Sequence, residues 1–411
     1  MKRVGHCSLL VRLLPVGGAG VLGKHILSPF KPSIQELVTD FLNRGDKYNV
    51  SARDFKDHVS VLIIDETGSD GLYGLHTLEI TGNYISATGG KEIDVHGIEI
   101  EVLSPTRLRF WMNNHRPPVD ANGNLLDGKK VGANSTIEVF EHTRGSKTLE
   151  HVKTIFHEAV STPNGLLADG TGGVYITNDH DSKTGKVFNF PSTLQASFPG
   201  FFLLSLTHSP QFRFLEMISG GGSLTYCTLA GECHLAYTQG FKFANGITGV
   251  FSPRNAPNSA EENNSSTIYV ANSAKGFIST YTPFLNGTLI RGPDIPLGIP
   301  VDNLSIDSNG DIFAACFPDV LALVANLDGP ILEKGNRREI ASTVLRIRRV
   351  ADEEGEVRHV VKKVLEDIEG RVLPGATTAV HDVKTGMFWL GGVASPFVTV
   401  CERVGGEDAV K

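Results

Sequence analysis

The chain has 411 residues with 45 glycines, 20 prolines and a net charge of −7 from scattered acidic residues. This length suffices for one large all-β domain or two ordinary domains. The charge pattern argues against nucleic-acid binding, because the basic run RIRR at 346–349 is short and typical of a solvated strand face. No apolar run reaches the roughly 18 residues needed to span a membrane.

The amino terminus has features of a secretory signal peptide. Two basic residues precede an apolar group at 9–14 and small residues at 17–20, although an arginine and a proline interrupt the apolar core. Sequons for N-glycosylation occur at Asn49, Asn134, Asn263, Asn264 and Asn286. Sequons in polar loops favour the secretory route. We expect a secreted glycoprotein, with a signal, anchor or irregular terminus at 1–30 and a single domain at 31–404.

Short β-hairpins recur along the rest of the chain. The segment 300–316 is representative: it has an alternating strand, an Asp-Ser-Asn-Gly turn and a second strand. Comparable β-rich segments lie at 59–80, 108–113, 166–178, 266–272, 304–315 and 378–391. Irregular repeats of antiparallel hairpins predict a β-propeller. Two stacked β-sandwiches are the alternative, but they would not explain the recurring hairpin.

One apolar stretch does not fit this pattern. Residues 194–206 read LQASFPGFFLLSL, contain a proline and have no clear period. The stretch would be an irregular insertion or, alternatively, a helix that seeks a membrane or lipoprotein surface. We favour the insertion, so a lipid partner is not supported.

The five cysteines show no zinc-binding spacing. Cys227 and Cys233 flank a Thr-Leu-Ala-Gly-Glu turn. This hairpin-like spacing predicts that they form a disulfide in an oxidising compartment.

Polar residues recur at equivalent places in the predicted blades. Asn164 in TPNGLLADG, Asn245 in FKFANGIT and the pair Asp302-Asn303 each stand at the start of a hairpin. A further polar cluster, NDHD at 178–181, ends a strand. In a propeller, equivalent places converge on the central channel. Amide and carboxylate oxygens are ligands that calcium prefers, so the four hairpin-start residues predict a calcium site there.

Two histidines have comparable positions in the chain. His96 precedes one predicted strand and His115 follows the next. Beside a divalent cation, one imidazole can deprotonate water while a second raises its basicity. A serine-hydrolase route is disfavoured, because the chain contains no G-x-S-x-G motif.

These motifs resemble the serum paraoxonase/arylesterase family, within a superfamily that includes gluconolactonase and strictosidine synthase. The resemblance is carried by FKFANGI at 241–247, the segment 300–316, STVLRI at 342–347 and the end of the last blade at 400–402. His96-Gly97-Ile98, Asn114-His115 and the strand STIEVF match in the same order. The resemblance covers about residues 59–402.

The resemblance implies an all-β, six-bladed β-propeller with two calcium ions in its channel. The catalytic calcium would be held by Asn164, Asn245, Asp302 and Asn303. The family's histidine dyad would fall on His96 and His115, and the backbone carbonyl of Ile98 would bind the structural calcium. The implied activity is calcium-dependent hydrolysis of lactones and aryl esters.

The chain also departs from the family's pattern. The family's early Glu-Asp pair has no counterpart before Val59, and Gly165 stands where the family has an aspartate. We therefore expect an incomplete first blade and one calcium ion, since the second ion would lack its carboxylates. The family's disulfide joins an early cysteine to the last one, which here would be Cys7 and Cys401, although the context of Cys7 differs.

The sequence thus predicts a calcium-dependent hydrolase of lactones or aryl esters, acting on small molecules and not on nucleic acid. The alternative is a non-catalytic or ligand-binding propeller that has lost part of its metal site. A carboxylate from residues 1–58 in the channel would favour the enzyme.

Overall fold

A computed structural model describes residues 6–11, 20–22, 25–27, 58–67, 73–181, 183, 221–251, 266–320, 322–323, 340–351, 357–392 and 398–402. These residues include 26 strands in six sheets and a short helix, α1 (Gly128–Val131). The all-β class predicted from the alternating segments is confirmed.

The strands are grouped into sheets in chain order, and we call the sheets blades 1 to 6. Blade 1 contains β2 (Gly20–Leu22), β3 (His25–Leu27), β4 (Ser60–Thr67) and β5 (Tyr73–Thr77), and it is preceded by β1 (His6–Val11). Blade 2 contains β6 (Glu79–Gly82), β7 (Val95–Val102), β8 (Arg107–Asn114), β9 (Thr136–Thr143) and β10 (Thr148–Ile155). Blade 3 contains β11 (Pro163–Ala168), β12 (Gly173–Asn178), β13 (Ser223–Thr228) and β14 (Cys233–Tyr237).

The remaining strands form three further blades. Blade 4 contains β15 (Ala244–Val250), β16 (Thr267–Asn272), β17 (Phe277–Pro283), β18 (Leu289–Arg291) and β19 (Ile295–Pro296). Blade 5 contains β20 (Val301–Ile306), β21 (Ile312–Cys316), β22 (Ser342–Ala351) and β23 (Val357–Asp367). Blade 6 contains β24 (Ala376–His381), β25 (Phe388–Gly392) and β26 (Val398–Glu402), together with β1.

The blades follow one another around a ring. One edge strand from each of blades 2 to 6 contacts the next in series, and we call these the inner strands: β7, β11, β15, β20 and β24. In blade 1, β3 contacts both β7 and β25. The ring closes where β1 pairs antiparallel with β26, so the first described strand completes the last blade. This arrangement confirms the predicted propeller, and blade 1, with two three-residue strands, is its least regular part.

Turn chemistry explains why the hairpins form where the sequence predicts them. In the turn between β20 and β21, the Asp307 carboxylate accepts hydrogen bonds from the backbone N–H groups of Asn309 and Asp311, at 2.9 and 3.0 Å. Gly310 has φ = 81°, a conformation that costs glycine little. Asp169 accepts the N–H groups of the β11–β12 turn in the same way.

The core lies between neighbouring blades. Trp111 and Ile137 of blade 2, for example, pack against Leu166 and Ile176 of blade 3. Strands β11 and β12 are therefore buried on both faces, which explains why successive residues along them are buried.

Cysteine pairing follows the sheet register. Cys227 and Cys233 lie opposite each other on β13 and β14 and form the predicted disulfide, with Cα atoms 4.1 Å apart. Cys401 is also disulfide-bonded. In the pairing of β1 with β26, Cys7 is the residue opposite Cys401. Cys316 is a buried free thiol.

Residues 194–206 lie outside the described residues. Within the part of the chain that the structure describes, no helix is long and apolar enough to cross a membrane.

Candidate functional site

The same irregularity occurs near the start of each inner strand. The pairing register shifts between residues 95 and 98, 163 and 166, 244 and 247, 301 and 304, and 376 and 378. The first residue inside each of these intervals is His96, Asn164, Asn245, Asp302 or Thr377. A bulge bends a strand and re-aims its side chains, so equivalent bulges turn equivalent side chains towards one end of the channel.

In three of the blades, the residue that follows this first residue is a glycine, namely Gly97, Gly165 and Gly246. A Cβ atom added at Gly97 would collide with the Asn164 carbonyl oxygen, and one at Gly165 would lie 2.9 Å from the Asn245 carbonyl oxygen. A Cβ atom at Gly246 would lie 2.5 Å from the Asn303 Cα atom. The glycines therefore allow adjacent inner strands to approach each other closely at the level of the predicted ligands. As a result, the backbone of Asn245 lies beside that of Asn164 on one side and that of Asp302 and Asn303 on the other.

Hydrogen bonds join neighbouring blades at this level. The Asn113 amide donates to the Asn164 carbonyl, and the Thr177 hydroxyl donates to the Asn245 carbonyl at 2.7 Å. The Asn303 amide donates to the Thr377 carbonyl at 3.0 Å. A small cavity lies between these strands and is lined by Gly97, Ile98, Gly165, Leu166, Ile247, Asn303 and Leu304. Ile98, assigned by the resemblance to the second calcium, is thus part of the channel wall.

The oxygen atoms of the predicted ligand set are suited to a hard cation. The Asn245 side chain is buried, and its Oδ1 atom has no hydrogen-bond partner among the described residues. The amide nitrogens of Asn164 and Asn303 donate to Asp179 Oδ2 at 3.2 Å and to Asp302 Oδ1 at 3.1 Å. Each amide therefore keeps its oxygen as the acceptor, and an unpartnered buried acceptor is costly unless something binds it.

The Asp302 carboxylate is half-buried at the channel. Burial raises the pKa of the neighbouring Cys316 thiol, and the negative charge of Asp302 raises it further. Asp302 thus has its charge close enough to the buried Cys316 to act on it. A cation there would compensate this charge.

A second carboxylate near the set was not included among the predicted ligands. Asp179 is 1% exposed, accepts the Asn164 amide and has His180 Nε2 3.7 Å from its Oδ1 atom. The NDHD cluster was the signal for it, but only the fold brings the end of β12 against Asn164. Within the described residues, no group of three or more His, Cys, Asp or Glu side chains forms a metal cluster.

The two predicted histidines are brought together. The ring centroids of His96 and His115 lie 5.3 Å apart with an edge-on angle of 63°. His115 is buried, and its Nδ1 atom lies 3.1 Å from the Ser135 hydroxyl. Asn113 Oδ1 accepts the backbone N–H groups of His96 and Gly97, which fixes the bulge that carries His96.

Phe243 is a further residue of this region that sequence reasoning missed. It has φ = 64° and is the non-glycine residue with positive φ among the described residues. Phe243 precedes Asn245 by two residues. Its ring contacts the His180 ring edge-on, with the ring centroids 5.0 Å apart. Such conformations cost about 1–3 kcal/mol and cluster at functional sites, so Phe243 belongs to the candidate site.

Solved structures align with this chain at low similarity scores. A gluconolactonase from Xanthomonas campestris aligns with a TM-score of 0.33 at 13% identity, over 80% of this chain and 75% of that chain. Virginiamycin B lyase from Staphylococcus aureus aligns with a TM-score of 0.30 at 9% identity, over 74% of this chain and 94% of that chain.

Sequence comparisons are more specific. The Arylesterase family model matches residues 213–394. Human serum paraoxonase/arylesterase 1 is 28% identical over 66% of this chain, and the match spans 61% of that protein. Human serum paraoxonase/lactonase 3 is 27% identical over 80% of this chain and 75% of its own length. Mouse serum paraoxonase/arylesterase 1 is 26% identical over 86% of this chain and 80% of its own length. The chain is therefore similar to serum paraoxonase/arylesterase proteins over most of its length, at 26–28% identity.

Proposed function

We propose that the chain is a calcium-dependent hydrolase of lactones and aryl esters. The observation that carries the proposal is the register shift shared by four inner strands, in which Asn164, Asn245, the pair Asp302-Asn303 and His96 occupy equivalent positions, with the rings of His96 and His115 5.3 Å apart. The names of the relatives, arylesterase and lactonase, support the substrate class.

Calcium fits the residues present. Asn164, Asn245, Asp302 and Asn303 would hold the ion through side-chain oxygens, and the buried Asn245 Oδ1 atom lacks a hydrogen-bond partner among the described residues. Bound calcium would supply Lewis-acid polarisation of the substrate carbonyl and stabilise the developing oxyanion.

The two histidines would carry out the proton transfer from the attacking water. Neutral His96 would accept a proton from the attacking water, because an imidazole titrates near neutral pH and the neighbouring amides do not. His115, held at Nδ1 by the Ser135 hydroxyl, would orient and support His96 across the edge-on ring contact.

A ligand-binding propeller without hydrolytic activity is the second candidate. It is favoured by the ligand set itself, which contains three amides and a single carboxylate, and by Gly165 at the family's aspartate position. A site with few charged ligands binds calcium more weakly.

One experiment separates the two functions. Metal content of the purified full-length protein is measured, together with hydrolysis of phenyl acetate and of a six-membered aliphatic lactone, before and after chelation. The hydrolase predicts bound calcium, turnover that is lost on chelation and recovery when calcium is added. Bound calcium without turnover of either substrate would favour the binding propeller, and absence of calcium would refute the site.

We further propose that the protein is secreted and glycosylated. The serum relatives support secretion, and Asn286 of the sequon Asn-Gly-Thr lies exposed in the β17–β18 turn. A mobility shift of the secreted protein on treatment with an N-glycosidase, lost in Asn286→Gln, would support this. An unshifted secreted protein would contradict it.

A further inference from the structure

We propose that Glu138 is a positioning residue for the His96–His115 pair, acting through the side chain of Asn114. The inference rests on the proposed hydrolytic function and adds a residue to it. Glu138 lies on β9 and is fully buried. Its carboxylate accepts a hydrogen bond from the Asn114 amide, and this contact is the route by which it would act on the pair.

Four polar groups surround the Glu138 carboxylate. Its Oε1 atom accepts hydrogen bonds from the Asn114 amide at 3.1 Å and from the Thr136 hydroxyl at 2.6 Å. Its Oε2 atom accepts the Thr154 hydroxyl and lies 3.4 Å from His151 Nε2. These donors come from β8, β9 and β10, so one carboxylate joins three strands of blade 2.

Asn114 connects this network to the histidines. Its Oδ1 atom accepts the backbone N–H of Asp94 at 2.8 Å, and the Asp94 carbonyl accepts the backbone N–H of His115 at 2.8 Å. Asp94 precedes His96 by two residues, and Asn114 precedes His115 by one. The Asn114 side chain therefore clamps together the two chain segments that carry the rings.

Glu138 determines which way the Asn114 amide faces. The Asn114 amide nitrogen donates both to Glu138 and to the Tyr84 hydroxyl, at 3.1 and 3.0 Å. With a strong acceptor on that side, the amide oxygen must face Asp94. Without Glu138, Asn114 would lose the acceptor that holds its orientation, and the spacing of the His96 and His115 segments would relax.

The carboxylate is stable as a buried anion. Burial alone would raise the pKa of Glu138, but hydrogen bonds from His151, Thr136, Thr154 and Asn114 outweigh burial and hold the pKa below its ordinary value. A charged acceptor makes stronger hydrogen bonds than a neutral one, which suits a residue that orients an amide.

Asp169 provides a matched control. It is also a buried carboxylate with a lowered pKa, and it accepts hydrogen bonds from the Thr171 and Gly173 backbone and from the Tyr226 hydroxyl. It directly follows β11, at the opposite end of that strand from Asn164. Its loss should destabilise the fold without moving the site.

The test compares Glu138→Ala, Glu138→Gln, Asn114→Ala, the double variant Glu138→Ala/Asn114→Ala and Asp169→Ala in the calcium-loaded full-length protein. Phenyl acetate kinetics are measured well below each variant's Tm. We expect Glu138→Ala to lower kcat on the order of 10²-fold with KM nearly unchanged, the size of effect of a misplaced catalytic group. Glu138→Gln, which keeps an oxygen for Asn114, should restore most of kcat.

The double variant should lose no more kcat than Asn114→Ala alone, because the two residues act in series. Asp169→Ala should lower Tm and leave kcat within about twofold, as expected for a distant independent site. Equal kcat losses in Glu138→Ala and Asp169→Ala, or additive losses in the double variant, would overturn the positioning role.

A readout independent of turnover separates this inference from the proposed function. The ring NMR signals of His96 and His115 are assigned with His96→Gln and His115→Gln and compared among the variants. Shifts of both rings in Glu138→Ala, absent in Asp169→Ala, support positioning even if the wild-type protein hydrolyses no ester. Unchanged ring signals in Glu138→Ala would overturn it even if the wild-type protein is an active hydrolase.

Discussion

Asp302 is the one carboxylate among the four predicted calcium ligands, and it lies at the bulge of β20 within the inner ring. Asp302→Ala should abolish calcium binding and remove the stabilisation that calcium gives to the folded state. Metal content and Tm with and without calcium check this, with Asp120→Ala in an exposed turn as the control. Asn303→Ala should act in the same direction and more mildly. Unchanged metal content in Asp302→Ala would refute the site.

His96 is expected to have a different role from the ligands at equivalent positions. His96→Gln should lower kcat by ~10²–10⁴-fold and leave calcium affinity nearly unchanged, because the predicted ligands are all oxygens. His115→Gln should have a smaller effect on kcat, and His234→Gln on the exposed face of β14 should have none.

In the wild type, turnover should rise with pH as the base loses its proton and then level off. Full activity in His96→Gln would leave the ligand-binding propeller as the better interpretation.

At the scale of the strand, the repeated bulge positions the candidate site. Gly246→Ala would place a Cβ atom 2.5 Å from the Asn303 Cα atom and 2.7 Å from the Leu304 nitrogen, neither of which is a flexible side-chain end. We expect β15 and β20 to separate, with a stability loss of about 1–3 kcal/mol and weaker calcium binding. Chemical denaturation and calcium titration measure the two effects.

Gly123→Ala provides the comparison for the glycine variant. Gly123 has φ = 82° and open space around it, in an exposed turn. An alanine there costs roughly 1–2 kcal/mol from backbone strain and should not affect the channel. If both variants bind calcium like the wild type, the close approach of β15 and β20 is not needed for the site.

At the scale of the whole molecule, the ring is closed by the pairing of β1 with β26. The register sets Cys7 opposite Cys401, and Cys401 is disulfide-bonded, so we expect peptide mapping to find a Cys7–Cys401 link. Cys401→Ser should cost about 2–5 kcal/mol of stability, and Cys227→Ser should cost less, because its disulfide closes a much shorter loop. Denaturation of each variant measures the difference. An equal or larger loss in Cys227→Ser would argue against long-range closure by Cys401.

The sequence by itself determined the local features. The hairpins follow from alternating strands and Asx turns such as Asp307–Gly310, which depend on residues close in the chain. The Cys227–Cys233 disulfide was likewise predictable from a hairpin-like spacing. The equivalence of Asn164, Asn245 and Asp302 could also be predicted, because each occupies the same place in a repeated unit.

Only the tertiary structure decided which distant residues contact the predicted site and its neighbours. Glu138 lies in a strand that reads as an ordinary alternating segment, and Asp179 ends another, but neither spacing reveals that they contact Asn114 and Asn164. The pairing of β1 with β26 joins residues almost four hundred positions apart, which no local pattern specifies. Such contacts depend on how the blades stack around the ring, because that stacking sets which strand ends meet at the channel.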